Sequence, residues 1–143
     1  MLFRELTHEI PFKTNGMYYQ KNANEHHNLV FYKNGLCNYH ELYWGVYKVE
    51  NESMHIQFFY IDQQNFYRKN VIDLFGKIIN DTTVSITLEK CIWCKNVYHG
   101  YDDKTEITFE PERQYFFKNQ SKPDSTQAWF LNKKWFLKGY QQM

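Results

Sequence analysis

The chain has 143 residues, a length that suits one domain with a single hydrophobic core. Its 17 Lys and Arg residues balance 16 Asp and Glu residues, and the net charge of +1 argues against strong attraction to nucleic acids or anionic membranes. Phe, Tyr and Trp make up 20% of the residues, which favours strands with one buried and one wet face.

The N-terminal region shows no targeting or membrane signal. Residues 1–9 lack the cationic and apolar segments of a signal peptide, although a chain trimmed of its leader would look the same. No run reaches the roughly 20 apolar residues that a membrane helix needs, so we expect no membrane span.

The first predicted elements are an arm, a strand and a loop. Pro11 blocks both helix continuation and central-strand pairing, so residues 1–15 are predicted to form an N-terminal arm. Residues 16–20 then favour a short strand, and the polar residues 21–27 favour a loop.

Three hairpins follow. The dipeptide Asn34-Gly35 is typical of a type I′ turn and joins β-forming runs at 28–33 and 36–40. Residues 44–49 and 54–61 form a second pair around the polar turn 50–53. In the returning strand Met54, Ile56, Phe58 and Tyr60 share one face, which we expect to point inward. The third hairpin joins 65–79 to 84–89 through the turn 80–82.

The remaining chain gives weaker patterns. Residues 97–104 favour a turn, and the alternating run 105–110 favours a strand that Pro111 either bends or ends before a strand at 113–117. Residues 122–127 could cap a short helix. We predict that segment 118–143 is a closing strand or a short helix, and Trp129-Phe130-Leu131 and Trp135-Phe136-Leu137 favour strands.

Together these elements predict a single all-β domain over residues 1–143. It is an antiparallel up-and-down meander of about eight to ten strands. Closure into a barrel is favoured over a sandwich because it removes the unpaired edges of the sheet.

Cys91 and Cys94 have the spacing of a named motif. A redox pair lies at a helix N-terminus, whereas this pair ends a predicted strand, so we interpret the residues as structural thiols or a local disulfide. A zinc site completed by His99 with Cys37 or His40 is the alternative, but no second ligand pair has zinc spacing. We therefore expect no metal and no cofactor.

The sequence offers no pattern of an enzyme. It has no Gly-rich phosphate loop and no G-x-S-x-G motif, and no carboxylate pair stands out. Aromatic residues beside Lys or Arg, as at 66–69, would suit single-stranded nucleic acid, but the balanced charge disfavours that partner. We expect a protein that is not an enzyme and does not bind nucleic acid.

The barrel architecture points to ligand binding, because eight strands enclose an interior that is either filled or just large enough for one small molecule. An apolar or amphipathic ligand is the expected partner, and a structural or protein-interaction module with a filled core is the alternative. The predicted binding residues are inward aromatic side chains and possible arginine partners for an acidic head group: Tyr47, Phe58, Tyr60, Phe75, Phe116, Arg68 and Arg113.

The succession of short hairpins and the pair Trp44-Gly45 resemble the small bacterial lipocalin-like proteins of the calycin type. The resemblance covers roughly residues 16–117 and implies a barrel with a hydrophobic pocket. Gly16-Met17-Tyr18 places Tyr where the usual G-x-W signature of lipocalins has Trp.

Overall fold

A computed structural model describes residues 11–20, 28–41, 43–62, 68–92, 95–96, 100–101 and 104–133. Ten strands lie in these ranges: β1 (Met17–Gln20), β2 (Asn28–Phe31), β3 (Leu36–Tyr39), β4 (Tyr43–Glu50), β5 (Ser53–Asp62), β6 (Arg68–Asn80), β7 (Thr83–Ile92), β8 (Lys95–Asn96), β9 (Gly100–Tyr101) and β10 (Lys104–Lys118). Strands β1–β7 and β10 form a closed antiparallel barrel, in which β10 lies between β7 and β1. The predicted all-β meander and its closure into a barrel are confirmed.

Tight turns join neighbouring strands at one end of the barrel, and residues within each turn stabilise its backbone. Gly35 adopts a positive φ of 90°, and the Asn34 Oδ1 atom accepts a hydrogen bond from the Leu36 amide at 3.1 Å. In the β6–β7 turn, the Asn80 side chain accepts a hydrogen bond from the Thr82 amide at 3.0 Å. Asn and Gly favour these turns because they tolerate or stabilise the required backbone conformations, so the predicted hairpins are found. The predicted type I′ turn is wrong, because Gly35 has a positive φ and Asn34 does not; the Gly35 amide instead donates to the Tyr32 carbonyl at 3.1 Å.

Strand β10 continues through Pro111 as one long strand with an irregular register. Thr108 pairs with Leu88 and Arg113 pairs with Ile86, so residues 109–112 lie opposite Thr87. A bulge of this kind bends the strand and changes where its side chains point. Pro111 is accommodated within this irregular segment, as expected for a residue that cannot donate a ladder hydrogen bond.

The barrel interior contains one apolar cluster, because side chains alternate between the two faces of each strand. This inner cluster includes the buried residues Phe12, Tyr18, Leu29, Phe31, Cys37, Tyr39, Tyr47, Met54, Ile56, Phe58, Leu74, Ile78, Val84, Ile86 and Tyr115. The predicted inward orientation of Met54, Ile56 and Phe58 is thus found. Phe12 comes from the segment before β1 and packs inside the barrel at the end where the tight turns lie. We call this the closed end, and the opposite end the open end.

A second apolar cluster lies outside the barrel wall, on the outer face of β1–β5. Its buried members are Met17, Val30, Tyr32, Leu36, Trp44, Val46, Phe59, Ala128 and Phe130. The last two belong to residues 119–133, which we call the strap. The Lys122 ammonium donates to the Thr14 and Phe31 carbonyls, and the Phe130 ring meets the Phe59 ring edge-on at 5.0 Å. The strap therefore covers the outer cluster.

The strap differs from the favoured prediction of closing strands. It contains a 3-10 helix, Ser125–Gln127, capped by Asp124, and Trp129-Phe130-Leu131 lies in turns. The barrel is closed by pairing of β1 with β10 instead. Residues 135–137 lie outside the described residues. The apolar side chains of residues 129–131 are removed from water by packing against the outer face of the sheet, and the segment does not pair as a strand.

Candidate functional site

The closed end of the barrel is filled by aromatic side chains. The rings of Phe31 and Tyr47 lie edge to face with centroids 5.0 Å apart, and Phe12 packs on Phe31 at 5.1 Å. The Tyr47 hydroxyl donates a 2.6 Å hydrogen bond to the Tyr32 carbonyl, and the Tyr18 hydroxyl donates to the Lys13 carbonyl at 2.7 Å. Because these rings are packed and the tyrosine hydroxyls are hydrogen-bonded within the protein, we assign the closed end a structural role.

The interior toward the open end contains ionisable side chains instead. Glu89 pairs with the buried Leu74 across β6–β7, and Arg113 pairs with the buried Ile86 across β7–β10. Residues directly opposite each other in a ladder project from the same face, so Glu89 and Arg113 project inward. Tyr115, two residues after Arg113, belongs to the inner cluster. The bulge in β10 thus places an arginine on the inner face near the open end.

These groups interact electrostatically with Tyr39. Burial raises the pKa of Tyr39, and the charge of Glu89 adds to this effect, whereas Arg113 and hydrogen bonding with Tyr115 oppose it. Burial likewise raises the pKa of Glu89, and the Arg113 guanidinium offsets only part of the rise. Burial also raises the pKa of Tyr115. We call Tyr39, Glu89, Arg113 and Tyr115 the polar cluster.

Two aromatic contacts border the polar cluster. The Arg113 guanidinium carbon lies 4.0 Å from the centroid of the Phe109 ring, close enough for a cation–π interaction. The Tyr39 ring stacks on the Phe58 ring with centroids 4.9 Å apart and planes inclined by 16°. Phe58, a buried member of the inner cluster, therefore borders the polar cluster at Tyr39.

A groove opens beside Arg113, where β1 ends and β10 continues. Gln20 is the last residue of β1 and pairs with Tyr115, and among the described residues no strand pairs with this edge of β10 between Lys104 and Gln114. The groove has a volume of about 620 Å³. We call it the side groove; it is lined by Gln20, Pro111, Glu112, Arg113, Gln114 and Phe116.

The inner and outer faces of β10 contribute different groups to the side groove. Arg113 reaches it from the inner face and links it to the polar cluster. On the outer face Phe116 is 38% exposed, an unusual state for a large aromatic ring. Glu112 is held by a 2.7 Å hydrogen bond from the Ser85 hydroxyl and by Lys77 at 3.2 Å. The groove thus combines a cation, a fixed carboxylate and an exposed ring.

The structure separates the seven predicted binding residues. Arg113 and Phe116 meet in the side groove, whereas Tyr47 and Phe58 lie in the inner cluster. Tyr60 and Arg68 lie in β5 and β6, and their side chains lie outside the described part of the chain.

The predicted inward orientation is wrong for Phe75 and Phe116. Phe75 follows the inward Leu74, and its ring stacks on His55 with centroids 4.4 Å apart on the outer face. Phe116 lies between Tyr115 and Phe117, both of which pack against the inner cluster. Alternation along each strand therefore turns both rings outward.

The sequence analysis missed Tyr39, Glu89 and Tyr115. For Glu89, simple alternation along residues 84–89 would place it on the same face as Ser85 and Thr87, opposite to Val84 and Ile86. The register shift between Phe75 and Gly76 reverses that assignment. Such shifts depend on the pairing of two strands and have no reliable signal in one of them.

The outer face of β5 and β6 also carries a small polar group. The Nε2 atom of His55 lies 2.7 Å from the Asp73 carboxylate, which also accepts from the Gln57 amide at 3.0 Å. Burial alone would raise the pKa of Asp73, but the bonds from His55 and Gln57 and the nearby charges lower it overall. A groove of about 160 Å³ passes His55 and Phe75.

The cysteines divide into two types. Cys91 is disulfide-bonded, in agreement with the predicted alternative of a local disulfide. Cys37 is a free, fully buried thiol in the inner cluster, and burial raises its pKa. Within the described ranges no three His, Cys, Asp or Glu side chains form a group that could hold a metal ion. Cys94 and His99 lie outside those ranges.

A search of the described residues for a helix that is long and apolar enough to cross a bilayer finds none. Comparison with known proteins gives no match to a protein-family model, to a curated protein or to a solved structure.

Proposed function

We propose that this protein is a lipocalin-like binding protein, without catalytic activity, for a small amphipathic molecule with an anionic head group. The observation that carries the proposal is the position of Arg113, which lies between the polar cluster and the side groove. A guanidinium is charged at all physiological pH values and offers several N–H donors in one plane. It therefore suits a carboxylate or a similar planar anion.

The surroundings of Arg113 suit the rest of such a ligand. Phe109 supports the guanidinium from one side, and Pro111 and Phe116 provide apolar surface along the groove. A volume of about 620 Å³ is in the usual range for small-molecule sites. The closed end is filled by the rings of Phe12, Phe31 and Tyr47, so we place the apolar part of the ligand in the side groove.

A protein-interaction module is the second candidate, favoured by two exposed apolar side chains of β10. Ile107 is 42% exposed and Phe116 is 38% exposed, and the bulge in β10 lies between them. Exposed apolar surface near an open strand edge can contact another protein. This candidate predicts oligomers or complexes that form without any small ligand.

The experiment compares two probes with the same twelve-carbon chain and different head groups, the anionic dodecanoate and the neutral dodecanol. Isothermal titration is expected to show that the wild-type protein binds dodecanoate more tightly. Arg113→Gln should weaken dodecanoate binding by roughly 10- to 100-fold, because a hydrogen bond to a charged group contributes about 1.5–3 kcal/mol. Dodecanol binding should change little.

Lys118→Gln is the matched control, because Lys118 is an exposed cation of the same strand outside the groove lining. It should leave dodecanoate binding within about twofold, since an exposed charge contributes little. Equal dodecanoate affinity in wild type and Arg113→Gln would refute the proposed head-group site. Sedimentation of the ligand-free protein tests the second candidate.

A further inference from the structure

Asn38 is a polar residue of β3 that lies within the outer cluster. It pairs with Val30 on β2 and with Trp44 on β4, and both partners belong to the outer cluster. Because opposite residues of a ladder share a face, the Asn38 side chain projects outward among them. Only 1% of Asn38 is exposed, so solvent does not reach its amide.

Among the residues that the structure describes, neither polar atom of the Asn38 side chain has a hydrogen-bond partner. Both Oδ1 and Nδ2 are enclosed and make no hydrogen bond. An enclosed amide without partners is costly, and nearly all buried amides in proteins therefore bond to protein or to ordered water. The Asn38 amide thus requires a small hydrogen-bonding molecule.

The neighbours of Asn38 favour a neutral molecule. Alternation along β2 places Asn28 on the same outer face, two residues before Val30. The nearby Glu41 carboxylate accepts a 3.3 Å hydrogen bond from the Asn28 amide. An amide presents one acceptor and two donor hydrogens with no net charge, so it selects neither an anion nor a cation.

We infer that Asn38 binds ordered internal water in the outer face of β2–β4. Water is the smallest molecule that both donates and accepts hydrogen bonds, and it makes about three when buried. The grooves that the structure describes lie elsewhere, beside Arg113 and beside His55. The outer cluster is therefore hydrated at one internal point.

The test is a nuclear Overhauser measurement between water and the Asn38 side-chain amide hydrogens in the intact protein. A bound water should give a cross-peak with the sign of a long-lived complex. A crystal structure at about 1.2 Å resolution should show density roughly 2.7–3.2 Å from Oδ1 or Nδ2 of Asn38. In Asn38→Leu this density should be lost.

Asn132→Leu is the matched control, because it removes an exposed amide from the strap. It should retain the water density at Asn38. The inference is overturned if the wild-type protein shows neither the cross-peak nor the density, or if a protein group bonds to the amide. The wild-type measurements decide the matter even if Asn38→Leu does not fold.

Discussion

The two ends of this barrel have the same strands but different interiors. At the closed end, the rings of Phe12, Phe31 and Tyr47 pack together and their polar atoms are satisfied within the protein. At the open end, Glu89 and Arg113 enter the same interior, and the pKa of Glu89 is raised by burial. Burial of the Glu89 carboxyl costs stability, and ionisable groups with shifted pKa values are frequent at functional sites, which supports the binding role proposed for the open end.

The largest expected effect is at the closed end. Phe31→Ala should lower the free energy of unfolding by about 3–5 kcal/mol, because it leaves a cavity among fully buried rings. Urea denaturation measures the change. Dodecanoate affinity of the folded variant should stay near the wild-type value, and a stability loss below about 1 kcal/mol would show that this end is not the structural core.

At the open end, we expect that replacing Glu89 raises the free energy of unfolding, by less than Phe31→Ala lowers it. Below the ordinary pKa of a glutamate, Glu89 is protonated in both the folded and the unfolded chain. As the pH rises, the unfolded chain ionises first because burial raises the pKa of Glu89 in the folded state. Stability should therefore fall as the pH rises through that raised pKa.

Glu89→Gln removes this loss and should raise the free energy of unfolding at neutral pH. The gain is expected to be at most about 1 kcal/mol, because the carboxyl is partly exposed and screened. Urea denaturation at several pH values measures it. If the free energy of unfolding of Glu89→Gln depended on pH as that of the wild type does, the raised pKa assigned to Glu89 would be wrong.

An effect of similar size and opposite sign concerns a carboxylate on the outer face. The pKa of Asp73 is lowered because hydrogen bonds from His55 and Gln57 outweigh its burial. Its contribution to stability is present above the ordinary aspartate pKa and is lost as the pH falls through the lowered value. Asp73→Asn should cost about 0.5–1 kcal/mol at neutral pH.

The pH profile distinguishes the two carboxyl groups. Asp73→Asn should remove part of the stability loss in acid, whereas Glu89→Gln should act toward higher pH. Denaturation series of the two variants at matched pH values measure both. If both variants changed the pH dependence of stability in the same direction, the distinction between the hydrogen-bonded outer carboxylate of Asp73 and the buried inner carboxyl of Glu89 would be wrong.

The sequence alone was sufficient where the structure depends on neighbouring residues. Asn34-Gly35 predicts the position of its turn, because glycine accepts a positive φ, but it does not predict the turn type. Alternation from Met54 to Phe58 predicts the inner face of β5, since Gln57 marks the opposite face. For Phe75 the same signal was present, because Asp73 shares its face and indicates that this face is outside.

The tertiary structure alone decided the rest. Three consecutive aromatic residues at 115–117 do not show which of them faces inward, and pairing of β10 with β1 and β7 sets that choice. The inward positions of Glu89 and Arg113 depend on register shifts between strands. Hairpins and barrel class thus follow from local turns and alternation, whereas the candidate site follows from strand register, which is set by contacts distant in sequence.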